Sequence, residues 1–293
     1  MNMIRFEFLS NCSLKEMVDL MNHAFQDYFT EMKTDVSSYV KRLAKEDLSP
    51  DLSIVAYDKE KPVGFILNGI REINNQKIAW NGGTGVIPDY RGQGIGRLMM
   101  EKCFEIYHQQ QVEVATLEAI DRNLTAIHLY SKMGYQIIDH LKFYSLDLKK
   151  AKSKLSSLTT EHTPNTVQSI FKRDLVHLPF FRRWAPWQNQ LASLPDAEAI
   201  ILSNEKNETI GYALFQVITS LQTVNFFHLE VTPKEKNRKD IFIELISHVI
   251  NKTKPAQSYR TFNLHADIDL DELLREIGFD YQLGQVWMTK TLS

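Results

Sequence analysis

The sequence predicts an α/β protein of the α+β type, built from two domains that share one fold. Three observations support this. Strand-like and helical runs alternate along residues 1–148, the length of 293 residues suits two domains, and the second half repeats landmarks of the first. With 43% hydrophobic and 24% charged residues, the composition is that of an ordinary globular protein.

The first half begins with a predicted strand at 3–9 and a helix that starts after Ser13. Residues 14–29 (LKEMVDLMNHAFQDYF) place apolar side chains at helical spacing, which is typical of an amphipathic helix. Two apolar runs, LSIVAY and VGFILNGI, flank the turn-like segment DKEKP and predict a β-hairpin.

A strand-like run at 78–86 (IAWNGGTGV) precedes a glycine-rich loop and a helix that extends to about His108. The strand VEVATLEAI, the helix LTAIHLYSKM and two strand-like runs, YQIID and FYSLDL, complete the first half. Segment 149–164 (KKAKSKLSSLTTEHTP) is rich in charged and small residues, so we expect the domain boundary there, with domains at 1–150 and 151–293.

The internal repeat rests on three landmarks that occur in the same order in both halves. Each has a counterpart of the same residue type: Gly64 and Gly211, Pro88 and Pro233, Gly134 and Gly278. The separations are 147, 145 and 144 positions, a slow drift that small loop insertions produce.

Charge and composition argue against several classes of partner. A formal net charge of −2 is unfavourable for binding nucleic acid. No run approaches the ~18 apolar residues of a membrane span, and the first ten residues lack the apolar stretch of a signal peptide, so we expect no membrane partner. Cys12 and Cys103 lack metal-ligand spacing, which predicts no metal and a reducing, cytoplasmic location.

Three of the twelve glycines, Gly92, Gly94 and Gly96, lie within five residues at the start of a predicted helix. Glycine weakens a helix by up to ~1 kcal/mol per site relative to alanine, so something here requires bare backbone. The first N–H groups of a helix have no intrahelical partner and carry the positive end of its dipole, which suits an anion such as phosphate. Arg91 and Arg97 add positive charge on either side. A tight turn with a glycine cap is the structural alternative, and Rossmann and Walker loops fit the spacing poorly.

The segment VIPDYRGQGIGRL (86–98) closely resembles the acyl-CoA pyrophosphate loop of the GNAT N-acetyltransferase superfamily, whose core pattern is R/Q-x-x-G-x-G/A. Residues 123–135 resemble the second signature of that family. The order of elements in the first half also looks like its fold, a mixed, mostly antiparallel sheet flanked by helices. The resemblance extends to the second half only through the repeat, and so implies two GNAT-like domains.

The resemblance implies a set of residues that bind acyl-CoA. The amides of the loop would bind the pyrophosphate, main-chain groups around Val86 would pair with the pantetheine arm, and Asn123 would orient that arm. The loop set is Arg91, Gly92, Gln93, Gly94, Ile95 and Gly96, with Arg97 beside it. In this family the strand of Val86 splays from the next strand, and the thioester lies in the gap. Strand glycines Gly82, Gly83 and Gly85 suit a bulge or a close approach, the alternative being a poorly formed edge strand.

Catalytic residues follow from the same resemblance. A backbone N–H near Val86 would stabilise the oxyanion, and Tyr130 would protonate the departing sulfur. A half-buried aromatic role for Tyr130 and a helix N-cap role for Asn123 remain open. Glu118 is the candidate general base. Further candidates are Asp121, Glu31 and Glu72, and each is also consistent with a solvated surface charge.

The second half lacks these features. Its loop KEKNRKD (234–240) contains no glycine, and Leu274 corresponds to Tyr130, so we expect that this domain has lost acyl-CoA binding and is structural or completes the acceptor pocket. Its segment FFRRWAPWQNQ (180–190) mixes arginines with aromatics. That pattern suits nucleobase stacking or an anion clamp, or else a lid or interdomain packing.

Together these features predict an acetyl-CoA-dependent N-acetyltransferase that transfers an acetyl group directly to the amine of a small molecule or a peptide. The alternative from another class is a non-catalytic acyl-CoA sensor. Retention of both Tyr130 and Asn123 favours the enzyme, because a sensor needs no proton donor. The expected partner is a small-molecule amine, and the oligomeric state is open, with a homodimer as the assembly considered.

Overall fold

The computed structural model describes residues 4–30, 32–149 and 165–292. They divide into two compact units, Met1–Ile138 with Val286–Ser293 and Asp139–Gln285. Each contains a mixed, mostly antiparallel sheet flanked by helices, which confirms the predicted fold class. Except for Lys149, the predicted boundary segment 149–164 lies outside the described residues.

The first unit is built from β1 (Ile4–Phe8), α1 (Leu14–Ala24), α2 (Val36–Lys45), β2 (Ile54–Asp58), β3 (Lys61–Ile73), β4 (Gln76–Val86), α3 (Ile95–Gln109), β5 (Val114–Ile120) and α4 (Leu124–Lys132). Strands β1 to β4 pair antiparallel in chain order, whereas β4 and β5 pair in parallel. The end of β13 (Asp280–Thr291) neighbours β5, and just beyond it Leu292 N donates to Glu113 O at 2.8 Å.

The second unit contains most of β6 (Gln136–Asp147), then β7 (Thr166–Ile170), β8 (Glu198–Ser203), β9 (Thr209–Ile218), β10 (Thr223–Val231), α5 (Arg238–Lys252), β11 (Ser258–Thr261), β12 (Leu264–His265) and α6 (Ile268–Glu276). Its strand order is β7-β8-β9-β10-β11-β6, with β10 and β11 in parallel and the neighbouring pairs antiparallel. From β8 to α6, the order of three strands, a helix, a strand and a helix repeats that of β2 to α4, with the short β12 added. Between β7 and β8, short 3-10 helices occur where the first unit has α1 and α2.

The repeat also holds at the level of single contacts. Gly64 pairs with Val86 in the first unit, and Gly211 pairs with Val231 in the second. A Cβ on either glycine would lie 3.0 or 3.1 Å from a strand carbonyl oxygen and equally close to side chains of the helix above, α3 or α5. Both positions need glycine because that helix crosses the sheet at short distance.

Element boundaries differ from the sequence-based expectations in a few places. The first helix ends at Ala24, because Asp27 adopts a positive φ of 60° in the turn that follows. The runs YQIID and FYSLDL belong to one strand, β6, since no turn separates them. The compact units also differ from the ranges 1–150 and 151–293. Residues 145–147 pair with β11 and residues 141–142 with β12, whereas 286–293 group with the first unit. The functional division into those two ranges stays a prediction.

Candidate active site

The loop between β4 and α3 leaves its backbone amides free. Gly92 and Gly94 have φ values of +74° and +82°, a left-handed conformation that favours glycine, and a Cβ on either would meet nothing within 4 Å. Leu98 N is the first amide of α3 with an acceptor, Gly94 O at 3.1 Å. The amides of 92–97 have no acceptor among the described residues. Open space, free N–H groups and the helix dipole together fit a pyrophosphate group.

The side chains around this loop have structural partners. Arg91 donates through Nη2 to Ala24 O at 2.9 Å and through Nε to Val86 O at 3.2 Å, which ties the loop to α1 and β4. The amide of Arg91 already donates to Pro88 O, so the available amides are those from Gly92 onward. Gln93 donates to Asp89 O, and Arg97 pairs with Glu101 on the exposed face of α3.

Strands β4 and β5 separate beside these glycines. Their parallel pairing ends at Asn81 and Leu117. On the other side of β4, the register with β3 shifts so that Gly82 has no opposite residue, which is a β-bulge. The predicted bulge is therefore present at Gly82, where a Cβ would lie 2.6 Å from the Trp80 ring. With eleven residues, β4 is not a poorly formed edge strand.

The bulge and the strand alternation decide which amides face the gap. Ile87 N donates to Val63 O at 3.0 Å, towards β3. Because successive amides of a strand point to opposite sides, the N–H groups of Val86 and Thr84 point away from β3, into the gap. Two main-chain N–H groups just before the glycine loop therefore face away from β3. The pairing of Val86 with pantetheine stays a prediction.

Tyr130, on α4, is brought to the same gap. Its side chain lies close to that of Thr84 on β4, and it is 7% exposed. Burial raises the pKa of Tyr130 to about 12, so the phenol keeps its proton at neutral pH. A protonated phenol at the gap is able to act as a general acid.

Asn123 begins the same helix and has two contacts. Its Oδ1 accepts from Ala126 N at 3.2 Å, which is the N-cap role that the sequence left open, and its Nδ2 donates to Tyr28 Oη at 3.3 Å. Burial raises the pKa of Tyr28, which follows α1. A role for Asn123 in orienting pantetheine stays a prediction.

The candidate general bases lie at different distances from the gap. Glu118, one residue beyond the last β4–β5 pair, accepts a hydrogen bond from Trp80 Nε1 at 2.7 Å, at the mouth of the gap. Asp121 directly follows β5. Glu72 lies at the opposite end of the β3–β4 hairpin, paired with Lys77, and so cannot reach the gap. Glu31 lies outside the described residues.

In the second unit, the bulge is repeated but the glycines are not. Register with β9 shifts at Phe227, the position that corresponds to Gly82. In this register His228 lies opposite Leu214, just as Gly83 lies opposite Leu67, so His228 corresponds to Gly83. By the same count, Glu230 corresponds to Gly85. Strand β10, the counterpart of β4, therefore carries bulky or charged side chains at the positions where β4 has glycines.

Segment 180–190 closes the corresponding gap. Asn189, fully buried, donates through Nδ2 to Phe227 O in β10 and to Phe262 O after β11, both at 2.8 Å. His228 Nε2 lies 3.0 Å from Asn189 O, and burial lowers the pKa of His228 to about 3, so this imidazole is neutral. The Asn189 side chain thus links β10 to the segment after β11, at the position where β4 and β5 separate in the first unit.

The arginines of this segment have acceptors within the second unit. Arg182 forms an ion pair with Glu230, and Arg183 donates to Val176 O. Trp187 is 1% exposed. These contacts do not fit nucleobase stacking or an open anion clamp, the two functional interpretations of the sequence.

Replacing Asn189 by alanine is expected to destabilise the second unit by about 2–4 kcal/mol, because at least two buried carbonyls lose their donor. Denaturant unfolding followed by circular dichroism measures this change. Gln168→Ala, which removes an exposed amide from β7, should change the free energy of unfolding by less than ~0.5 kcal/mol. A loss for Asn189→Ala as small as that of the control would contradict the bridging role.

Several site residues escaped the sequence analysis. Thr84 and Asn81 line the gap beside Tyr130, Tyr28 contacts Asn123, and Arg42 of α2 donates to the bulge carbonyl of Gly82 at 2.6 Å. Each is a single polar residue without a motif, so no local signal marks it. The bulge sets the direction of the β4 side chains Asn81 and Thr84, whereas long-range contacts bring Tyr28 and Arg42 to the site.

Within the described ranges, no three His, Cys, Asp or Glu residues are grouped so that they could hold a metal ion. None of the helices described there is both long and apolar enough to cross a membrane.

Several known proteins are similar to this chain. The profile of the Acetyltransferase (GNAT) family matches residues 16–135. An uncharacterized N-acetyltransferase of Methanocaldococcus jannaschii is 27% identical over 144 residues, which are 46% of this chain and 63% of that protein. An uncharacterized N-acetyltransferase of Archaeoglobus fulgidus is 31% identical over 109 residues, which are 36% of this chain and 73% of that protein.

Two solved structures resemble the whole chain. A tandem GNAT protein from the clavulanic acid biosynthesis pathway has a TM-score of 0.66 at 13% identity, and covers 99% of this chain and 98% of its own. A GCN5-related N-acetyltransferase from Sphaerobacter thermophilus has a TM-score of 0.65 at 11% identity, with coverage of 99% and 95%. These likenesses show a fold of two GNAT-like domains.

The matched range contains the glycine loop, the splayed strand and the helix of Tyr130, and one relative is 31% identical across 73% of its own length. The chain therefore belongs to the GNAT family of acetyltransferases.

Proposed function

We propose that this chain is an acetyl-CoA-dependent N-acetyltransferase that uses the site of the first unit to acetylate the amine of a small molecule or a peptide. One observation carries the proposal. The free amides of the glycine loop follow the stretch of β4 that no longer pairs with β5, and the buried, protonated phenol of Tyr130 lies close to Thr84 on that stretch. The name N-acetyltransferase of the archaeal relatives supports the same reaction.

The residues that would hold acetyl-CoA follow from the geometry. The amides from Gly92 to Gly96 would bind the pyrophosphate, and the Val86 amide would pair with the pantetheine arm. When bound, acetyl-CoA supplies an activated acyl group as a thioester. The protein contributes donors that are already oriented, on strands whose pairing ends at Asn81 and Leu117.

The chemical roles divide between backbone and side chains. The N–H groups of Thr84 and Val86 point into the gap, where a donor to a developing oxyanion contributes about 3 kcal/mol. Tyr130 Oη holds the proton that the departing sulfur requires. Glu118 stays the candidate base, with its carboxylate oriented by the Trp80 indole. The second unit, whose gap is bridged by Asn189, would bind no acyl-CoA.

The reaction is tested by incubating the full chain with acetyl-CoA and a broad panel of amines while free thiol is measured. We expect thiol release that depends on an amine, together with a calorimetric stoichiometry of one acetyl-CoA per chain. Tight binding with no thiol release from any amine would favour the non-catalytic sensor. A stoichiometry of two would contradict the assignment of the second unit.

A further inference from the structure

The peptide unit that joins Gly82 to Gly83, at the centre of the β4 bulge, has side-chain partners for both of its polar atoms. Arg42 Nη2, on α2, donates to Gly82 O at 2.6 Å, and Gly83 N donates to Asn81 Oδ1 at 3.1 Å. A peptide unit is planar, so partners on both atoms fix the direction of the whole unit. Two side chains therefore orient the backbone at the point where β4 stops pairing with β5.

Arg42 is itself held in place. Its Nε donates to Glu46 Oε2 at 2.8 Å, one turn further along α2. Just beyond this helix, Leu48 forms an antiparallel bridge with Gly69 of β3, and a Cβ on Gly82 would lie 2.8 Å from Leu48 Cδ2. The end of α2 and the turn after it therefore contact the bulge at two points, one polar and one apolar.

The second unit holds its bulge in a similar way, with a different donor. Phe227 is the bulge residue of β10, and its carbonyl accepts from Asn189 Nδ2 at 2.8 Å. Asn189 lies between β7 and β8, just as Arg42 lies between β1 and β2. Asn189 also donates to Phe262 O beyond β11, whereas Arg42 also donates to Glu46 on its own helix. A side-chain donor to the bulge carbonyl is thus a shared feature of the two units.

We propose that Arg42 is a positioning residue for acyl transfer. By holding the Gly82 carbonyl, it fixes the direction of the Thr84 amide two residues further along β4. The proposal rests on the function proposed above, in which this amide donates to the developing oxyanion. A donor stabilises that charge only if it already points at the place where the charge develops, so a peptide unit that can rotate weakens the effect. Arg42 acts through the backbone.

Hydrogen exchange measured by NMR on the free protein tests this positioning without turnover. In Arg42→Met, which keeps the aliphatic stem and removes the donor, we expect the Gly83 amide to exchange about tenfold faster or more. The Ile87 amide, which donates to Val63 O, is the internal reference and should keep its parent rate. No change at Gly83 would overturn the proposal. Equal acceleration of both amides would also overturn it, because the whole unit would then be loosened.

Two further variants separate the role of the donor from those of charge and stability. Lys45→Ala removes a positive charge from an exposed position of α2, and should leave both exchange rates unchanged. Arg42→Met combined with Glu46→Gln also removes the mostly buried carboxylate that Arg42 contacts. This double variant replaces Arg42→Met if the single variant fails to fold, and the same selective acceleration at Gly83 is expected.

Turnover gives a second test. Arg42→Met is expected to lower kcat about tenfold, because the Thr84 amide acts in the transition state. Its calorimetric Kd for acetyl-CoA should stay within about threefold of the parent value, since the glycine loop is unchanged. Lys45→Ala should match the parent chain in both measurements. A kcat that stays at the parent value, or a Kd that rises as much as kcat falls, would contradict the positioning role.

The two proposals fail separately. A parent chain that releases no thiol from any amine contradicts the proposed function, whereas hydrogen exchange still measures whether Arg42 holds the bulge. Conversely, an active enzyme whose Arg42→Met variant behaves like the parent removes the role of Arg42 alone.

Discussion

Gly94→Glu is expected to abolish the binding of acetyl-CoA while the first unit stays folded. The φ of +82° at this position makes any side chain unfavourable by about 1–2 kcal/mol, yet the space around a new Cβ is open, so no clash follows. The carboxylate would lie at the start of α3, where the pyrophosphate is proposed to bind. Two like charges about 4 Å apart near a protein surface repel by about 4 kcal/mol, which weakens binding by about a thousandfold.

Calorimetry with acetyl-CoA measures this loss, and two controls separate its causes. Gly94→Asn is neutral and tolerates the left-handed conformation, so it should retain much of the affinity. Asn237→Glu places the same new carboxylate at the start of α5 in the second unit, and should leave binding unchanged. If Gly94→Glu binds acetyl-CoA as tightly as the parent chain, the anion site at this loop is wrong.

Tyr130→Phe is expected to lower kcat by about a hundredfold or more and to change KM little, because a general acid acts in the transition state and contributes little to substrate binding. Steady-state kinetics with the amine that gives the fastest thiol release measures both constants. The ring and its packing remain, so the fold should be unaffected. Since the pKa of Tyr130 is about 12, its deprotonation should not appear in the pH dependence of kcat between pH 6 and about pH 10.

The chain offers a matched control for this substitution. Tyr135, also buried, stacks on Phe104 with its ring centroid 6.1 Å away, and its hydroxyl has no hydrogen-bond partner among the described residues. Tyr135→Phe should therefore leave kcat near the parent value. Equal losses in the two variants would mean that removing a buried hydroxyl disturbs packing, and Tyr130 would lose its role as the acid.

Much of the first unit could be predicted because its signals are local. Ser13 accepts from Glu16 N at 3.2 Å and begins α1 where the sequence places the helix start. The hairpin of β2 and β3 and the helix after Gly94 also agree with their predicted positions. Helix α2 was not predicted, although Val36, Tyr39, Val40 and Leu43 recur at helical spacing within its ten residues.

Local patterns also set the limit of what could be inferred about the site. A glycine cluster before an apolar-periodic helix is visible in the sequence, because left-handed φ values and free amides depend on neighbouring residues. The partner of a side chain such as Arg91 is not visible, since Ala24 is distant in the chain. The sequence suggests an anion ligand for this arginine, whereas its observed acceptors are main-chain oxygens.

The amino-acid sequence by itself determined the family pattern, the repeat and the loop whose amides are free. The tertiary structure alone decided three further points: Gly82 forms a bulge in β4, Asn189 bridges the gap of the second unit, and residues 286–293 group with the first unit. The physical reason is the range of the interactions. Backbone conformation is set mostly within a few residues, whereas strand register and the filling of a gap depend on contacts between segments far apart in the chain.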